Sequence, residues 1–263
     1  MTAFPSLPSL DFFNLEEFRV AMLSYQEQLL LYSLVYALRP KRVLEIGFAA
    51  GGSSRTMLAA LLPMDHAGQR LVSIDPRPEA VPPWTGDPRF RLVRESSPAA
   101  IPRAVELLGG AIDFCFIDAD HSEEHVYADS CGVADSMARE GYVLYHDAFY
   151  PSVAAGIGRF LRERSDFVDC GLVSRFRPIN NPSPWGGLRL LRRVAAAAAN
   201  CEASIATGTF AQAAPQSAAF VFVCQGGELE VEALLLAASL VPSMPKGCEL
   251  IAAVPSPSEL MSH

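Results

Sequence analysis

Residues 42–53 read RVLEIGFAAGGS, and the change of character along this stretch decides the fold. Val43, Leu44 and Ile46 make a short apolar run that fits a buried strand. The glycines at 47, 51 and 52 then permit a sharp bend, and SSRTMLAALL continues as a helix that Pro63 ends. Strand, glycine-bearing turn and helix in immediate succession open a parallel α/β unit. Downstream the pattern recurs. Leu71–Ile74 is a strand ending in Asp75, Phe90–Arg94 is another, and Ala99–Leu108 is helical. Ile112–Ile117 is a strand ending in Asp118, Glu123–Arg139 is a helix, and Tyr142–Tyr145 is a strand ending in His146 and Asp147. A helix to about Arg164 and two closing strands, Phe167–Arg175 and Gly187–Val194, complete the domain. Upstream, apolar positions from Phe12 to Leu38 recur at helical spacing, and Pro40 stops that helix. Short apolar strands alternating with helices predict a doubly wound parallel sheet covered on both faces. In such sheets ligands sit outside the carboxyl ends of the strands.

The whole chain has 263 residues, 50% of them hydrophobic and 19% charged, which suits a globular protein with a sizeable core. Twenty-one basic residues stand against 29 acidic ones for a net charge of −8, and no basic stripe is present, so a nucleic-acid partner is excluded. The N-terminal MTAFPSLPSLDFFNLEEF lacks the features of a secretory signal, and the longest apolar runs are about half a membrane span of ~20 residues. A cytoplasmic protein that does not enter a membrane is expected. Its six cysteines are dispersed with no CxxC and read as reduced thiols. Residues 1–194 form the first domain. Residues 195–218 are an Ala-rich linker. Residues 219–263 hold one strand–helix–strand segment: AFVFVCQ, about Glu228–Leu240, and CELIAAV. The last 69 residues contain one Lys, no Arg and six Glu, a composition shift that supports a boundary near 195. One such unit cannot bury both its faces alone.

The turn after Ile46 narrows the ligand. Phosphate-binding P-loops need a Lys beside a Ser or Thr after the glycines, which is missing. The glycine spacing also departs from the GxGxxG of dinucleotide sites, and Glu45 would repel a pyrophosphate. Asp75, about twenty residues on, can accept both hydroxyls of a ribose. A nucleoside with positive charge and no phosphate satisfies all of these conditions. S-adenosylmethionine (SAM) is one.

The stretches LEIGFAAGGSS, LVSIDP, FCFIDADHSEEHVYAD and GYVLYHDAF resemble the motifs of class I SAM-dependent methyltransferases. Among these they are most similar to the small O-methyltransferase group with a FIDGDH-like fourth strand. The resemblance covers about residues 20–194. It implies a Rossmann-like seven-stranded sheet with a reversed last strand, to which the C-terminal βαβ segment is appended. It also implies SAM contacts from Glu45, Gly47, Gly51, Ser53, Asp75, Ser96 and Asp118.

Asp118-Ala119-Asp120-His121 and His146-Asp147 end adjacent strands and so share one rim. Methyl transfer to a hydroxyl needs the oxygen positioned and its proton removed. An imidazole with an ordinary pKa near 6.5 suits that, and His121 is the candidate base. By the same likeness Asp118, His146 and Asp147 would hold Mg²⁺ or another divalent metal. The position of His146 commonly carries an acid, and a nitrogen ligand suits Mg²⁺ poorly, so metal dependence stays open at this point. His125 reads as a helix-face residue, and Asp120 or Ser122 as a helix cap. Phe48, Phe149, Tyr150 and Trp185 could line the cofactor or acceptor pocket, but aromatic residues near strand ends are just as often packing, and they are not assigned to the site. The expected activity is SAM-dependent methylation of a small-molecule or sugar hydroxyl. A non-catalytic SAM-fold module is the first alternative and an NAD(P)-dependent reductase the second. The C-terminal segment weakly resembles the opening of a glycosyltransferase domain, which implies assembly, as a homo-oligomer or with such a partner domain.

Overall fold

The computed structural model describes residues 22–61, 68–174 and 185–194, together with two strands at 219–223 and 249–253. The chain divides into two compact units, 1–203 and 204–263. In the first unit the order is α1 (Tyr25–Leu38), β1 (Arg42–Ile46), α2 (Gly52–Leu61), β2 (Arg70–Ile74), β3 (Phe90–Val93), α3 (Ile101–Leu108) and β4 (Ile112–Ile117). Then come α4 (Glu123–Ser136), β5 (Met137–Tyr145), α5 (Pro151–Glu163), β6 (Phe167–Ser174) and β7 (Leu188–Arg193). The sheet order is β3-β2-β1-β4-β5-β7-β6. The strands β1 to β5 run parallel, and β7 is antiparallel to both its neighbours. This is the expected doubly wound sheet with its reversed last strand.

Its strands are apolar because both faces are covered. On one face Leu44, Ile46, Val72 and Cys115 pack under α3, α4 and α5 through Ile101, Val133 and Phe160. On the other, Val43, Phe114 and Phe116 pack under α1 and α2 through Leu31, Val35 and Met57. Helix α1 starts at a capping box, in which Ser24 Oγ accepts from the Glu27 amide and the Glu27 carboxylate accepts from the Ser24 amide. The periodicity from Phe12 suggested an earlier start; residues 12–21 lie outside the described residues.

Helix α4 ends three residues sooner than the sequence pattern suggested, because Met137 pairs with Ile112 and extends β5 backwards. Backbone groups that a longer helix would use internally are spent on the β4 ladder instead. Glu140, at φ +65°, then turns the chain into Gly141. Cys115, Cys131 and Cys170 are free thiols, buried, half-buried and exposed in turn. No described helix is long and apolar enough to cross a membrane.

In the second unit β8 (Ala219–Val223) and β9 (Glu249–Ala253) pair in parallel, a pairing that needs a crossover connection. The helix expected at Glu228–Leu240 lies outside the described residues.

Candidate active site

The loops that carry the candidate residues leave the same edge of the sheet. Beyond the last ladder pairs the Gly47 amide donates to Ile74 O, the Asp118 amide to Ile46 O and the His146 amide to Ile117 O. The strand ends thereby stay in line, and three loops face one rim.

Gly47 sits at φ +97°, and a Cβ there would lie 1.8 Å from the Asp118 carbonyl oxygen. Only glycine lets the first and fourth loops touch in this way. Gly51 turns the loop into α2, and its missing side chain leaves room for the rings of Phe48 and Trp84. Glu45 is fully buried behind this turn. Its carboxylate accepts from the hydroxyls of Ser53 (2.6 Å), Ser73 (2.5 Å) and Ser54. Burial raises its pKa to about 7, against the pull of those three hydroxyls. Glu45 therefore braces the turn from beneath, rather than facing the space above it. Asp75 takes the Phe48 and Ala49 amides on one oxygen (3.1 and 2.8 Å) and the Arg77 amide on the other. Its remaining lone pairs stay available to a hydroxylated ligand. A narrow space of about 20 Å³ lies between Gly47, Ala49, Ser53 and Asp118. Ligand sites run to several hundred Å³, so a nucleoside would widen it on entry. Ser96 lies in the exposed turn after β3 and is not among the residues around this space.

At the other half of the rim, His121 Nε2 lies 2.9 Å from Asp147 Oδ2. Asp147 also receives the Gly186 amide at 2.5 Å, and its backbone is held at φ +50°, an uncommon conformation that the crowded site enforces. Hydrogen bonding to Asp147 raises the His121 pKa against partial burial. Since Asp147 engages Nε2, the proton on that nitrogen points at the carboxylate and Nδ1 carries the accepting lone pair.

His146 is buried behind this pair. Its Nδ1 lies 3.1 Å from Asp118 Oδ1 and 3.3 Å from Asp147 Oδ2, and its Nε2 lies 3.6 Å from Glu27. Desolvation opposes its charge, but Asp118, Asp147 and Glu27 outweigh burial and push its pKa up to about 12. Burial would raise the Asp147 pKa; the two imidazoles hold it well below the carboxylate range instead. The sequence offered Asp118, His146 and Asp147 as a metal set, and the structure keeps His146 Nδ1 against both of those carboxylates. Among the described residues the side chains that converge within 4.8 Å are Asp118, His121 and Asp147, while the His146 ring faces the same carboxylate oxygens as a cation. Mg²⁺ prefers six oxygen ligands; here two carboxylates are already offset by a buried imidazolium, and the third ligand is a nitrogen. Mg²⁺ does not fit this group.

Several residues at the site had not been assigned to it. The ring of Tyr150 stacks on that of Trp185 at 4.3 Å, and Trp185 meets His121 edge to face at 4.9 Å. Glu27, 160 positions away in sequence, closes the back by accepting the Gly187 amide at 2.8 Å. Ser73, two residues before Asp75, was readable as an inward position on β2. Ser122 caps α4, accepting from the His125 amide, and His125 is an exposed helix-face residue, as the sequence suggested.

Residues 44–148 match a family model described as a methyltransferase domain. The structure of a methyltransferase from Geobacter sulfurreducens superposes at TM-score 0.52 with 20% identity, over 72% of this chain and 92% of that one. Cofactor-bound Rv0187 from MTB superposes at TM-score 0.51 with 22% identity, over 67% and 82%. The O-methyltransferase TomG from Streptomyces achromogenes, solved in complex with SAM, overlaps at TM-score 0.49 with 17% identity, over 70% and 85%. No curated protein matches the chain by sequence. The doubly wound sheet is thus a fold shared with the Geobacter sulfurreducens methyltransferase and with Rv0187.

Proposed function

We infer that this chain, whose residues 44–148 match a methyltransferase domain, transfers the methyl group of SAM to a hydroxyl of a small acceptor. The observation that carries the reading is the His121–Asp147 pair at 2.9 Å, set on the same rim as the Gly47 turn. SAM supplies an electrophilic methyl on a sulfonium. The turn from Gly47 to Ser53, braced by Glu45, would hold the amino-acid end of the cofactor, and Asp75 the ribose. Asp118 lies between that turn and His121, where the two ligands would meet. A hydroxyl placed at Nδ1 of His121 loses its proton to that nitrogen as its oxygen takes the methyl, and the electron pair of the broken S–C bond returns to sulfur. The imidazolium that forms is matched by Asp147. Positioned proton transfer of this kind supports about 10²–10⁴ in rate.

No step passes through a metal. His146, as a fixed cation between Asp118, Asp147 and Glu27, balances the carboxylates that a divalent ion would otherwise gather.

Calorimetry with SAM and with S-adenosylhomocysteine tests the cofactor, and absence of heat with both sinks the reading. A panel of sugar, phenol and polyketide hydroxyls, read by S-adenosylhomocysteine release, identifies the acceptor. On that acceptor His121→Ala is expected to bind SAM normally and lose at least a hundredfold in kcat; undiminished turnover would remove His121 from the role of base.

A further inference from the structure

At the amino ends of β1 and β4, the opposite end of the sheet from the rim that carries His121, lies a cavity of about 290 Å³. That is close to the ~300 Å³ at which small-molecule sites begin. The register of β5 shapes it. Between the pairs Met137–Ile112 and Tyr142–Phe114, four residues of β5 (138–141) stand against the single Asp113 of β4. Surplus backbone of this kind leaves the ladder and re-aims its side chains. Arg139 and Glu140 from this bulge line the cavity, as do Leu38–Lys41 between α1 and β1.

Charge inside the cavity runs against that of the chain, which is −8 overall. Arg39, Lys41 and Arg139 are all exposed there. Among the described residues none of the three has a carboxylate partner. Glu140 is neutralised by Arg192. Asp113 stays charged, with its Oδ2 accepting the amides of Lys41 and Arg42 at 3.0 Å each. Three cations thus face one carboxylate around a small concave space, an arrangement that concentrates anions.

The backbone supplies an independent sign. Among the described residues four that are not glycine have positive φ: Arg39 at +50°, Ala49 at +48°, Glu140 at +65° and Asp147 at +50°. Ala49 and Asp147 belong to the candidate active site, and Arg39 and Glu140 line this cavity. Uncommon conformations of this kind gather at functional sites. Arg39 caps α1 in the left-handed conformation usually given to glycine. Glycine would close the helix at lower cost; arginine there places a guanidinium at the cavity.

A guanidinium fork matches the oxygens of a carboxylate or a phosphate two at a time. Two forks and an ammonium offer more donors than one carboxylate can use, whereas a phosphoryl group presents three oxygens and a charge near −2. Leu38, Pro40 and Tyr142 line the rest of the cavity, an apolar surface that a bare ion would leave uncovered. We propose that this cavity binds a small phosphorylated molecule, with its phosphoryl group held by Arg39, Lys41 and Arg139 and its body against Leu38, Pro40 and Tyr142. The site is distinct from the rim and does not depend on the methyl-transfer reading.

The test is calorimetry on the full chain with phenyl phosphate, inorganic phosphate and citrate. Phenyl phosphate should bind. Inorganic phosphate, which lacks the body, should bind about threefold more weakly or worse, and citrate about tenfold more weakly or worse. Because exposed cations are screened by salt, the Kd for phenyl phosphate should rise about fivefold or more between about 0.05 and 0.5 M NaCl. Arg39→Gly suits the φ of +50° and should by itself weaken phenyl phosphate about threefold. Combined with Lys41→Gln and Arg139→Gln, it should weaken binding about tenfold or more, with the Kd for SAM unchanged. The proposal is overturned if phenyl phosphate gives no heat, if inorganic phosphate or citrate binds as tightly, or if Arg39→Gly and the triple variant bind it as wild type does. Displacement by saturating SAM would also overturn it, since the anion would then occupy the rim.

Discussion

Asp147→Asn is the substitution that most directly interrogates the rim. Asp147 Oδ1 accepts the Gly186 amide, and Oδ2 faces both His121 Nε2 at 2.9 Å and His146 Nδ1 at 3.3 Å. Asparagine tolerates the φ of +50° found here, so the backbone need not object. Its carbonyl can keep Gly186, but its amide then turns two donor hydrogens toward two imidazole donors. Two charge-assisted hydrogen bonds are lost, at about 1.5–3 kcal/mol each. His121 is 30% exposed at its side chain, and water can take over part of its bond, so the lower end of the range, about 3 kcal/mol in all, is the expected destabilisation. In a domain of this size that corresponds to a fall of roughly 6–12 °C in Tm. The loss also has a pH window. The folded pKa of Asp147 lies below its ordinary value of 3.8, so its contribution is fully present above that value and fades as pH falls beneath it. The gap between the two melting curves should therefore close in acid. His121 responds as well: its pKa, raised chiefly by Asp147, should drop back toward 6.5. Ring ¹³C–¹H signals followed by NMR through pH 5 to 9 measure this, with His121→Ala assigning the resonance. A variant that melts with wild type at neutral pH, and whose His121 titrates where it did before, would refute the hydrogen-bonded pair.

Gly47→Ala adds a methyl 1.8 Å from the Asp118 carbonyl oxygen to a backbone that already costs a non-glycine residue about 1–2 kcal/mol; a thermal melt should show at least that loss, and calorimetry a fall of tenfold or more in SAM affinity. Glu45→Gln tests the brace through linkage. The folded pKa of about 7 exceeds the ordinary value of 4.5, so the wild type binds an extra proton when folded and loses about 3 kcal/mol of stability as pH rises from 4.5 to 7; the Gln variant should lack this slope in denaturant titrations across that range, and an identical slope would contradict the buried carboxyl. Metal removal should change nothing: melting temperature and SAM affinity are expected to agree in EDTA and in millimolar Mg²⁺, and heat from a Mg²⁺ titration would overturn the reading of His146 as the resident cation.

What the sequence disclosed and what it withheld divide along a physical line. The sheet was legible because its strands are short apolar runs punctuated by Gly, Pro and acids, and that punctuation is local. Residues that meet within one loop, such as Glu45 and Ser53, could be grouped by spacing alone. Their orientation could not, because whether Glu45 points at a ligand or at Ser73 depends on β2 lying beside β1. The same limit explains the aromatic residues. Tyr150 opens α5 and Trp185 precedes β7, and nothing in either neighbourhood distinguishes a packing ring from a ring beside the base. They meet because β7 runs antiparallel against β5, which brings the chain before Leu188 to the end where β5 releases His146 and Asp147. Glu27 is a sharper case. As the N3 residue of a capping box it has a sufficient local explanation, yet one of its oxygens holds Gly187 and the other faces His146. A residue with a complete local role can thus carry a second one across the fold. His146 follows the same logic: as a member of a metal set it looks a poor ligand, and beside Glu27 it becomes part of a buried ion pair. Judging such a residue requires its neighbours in space.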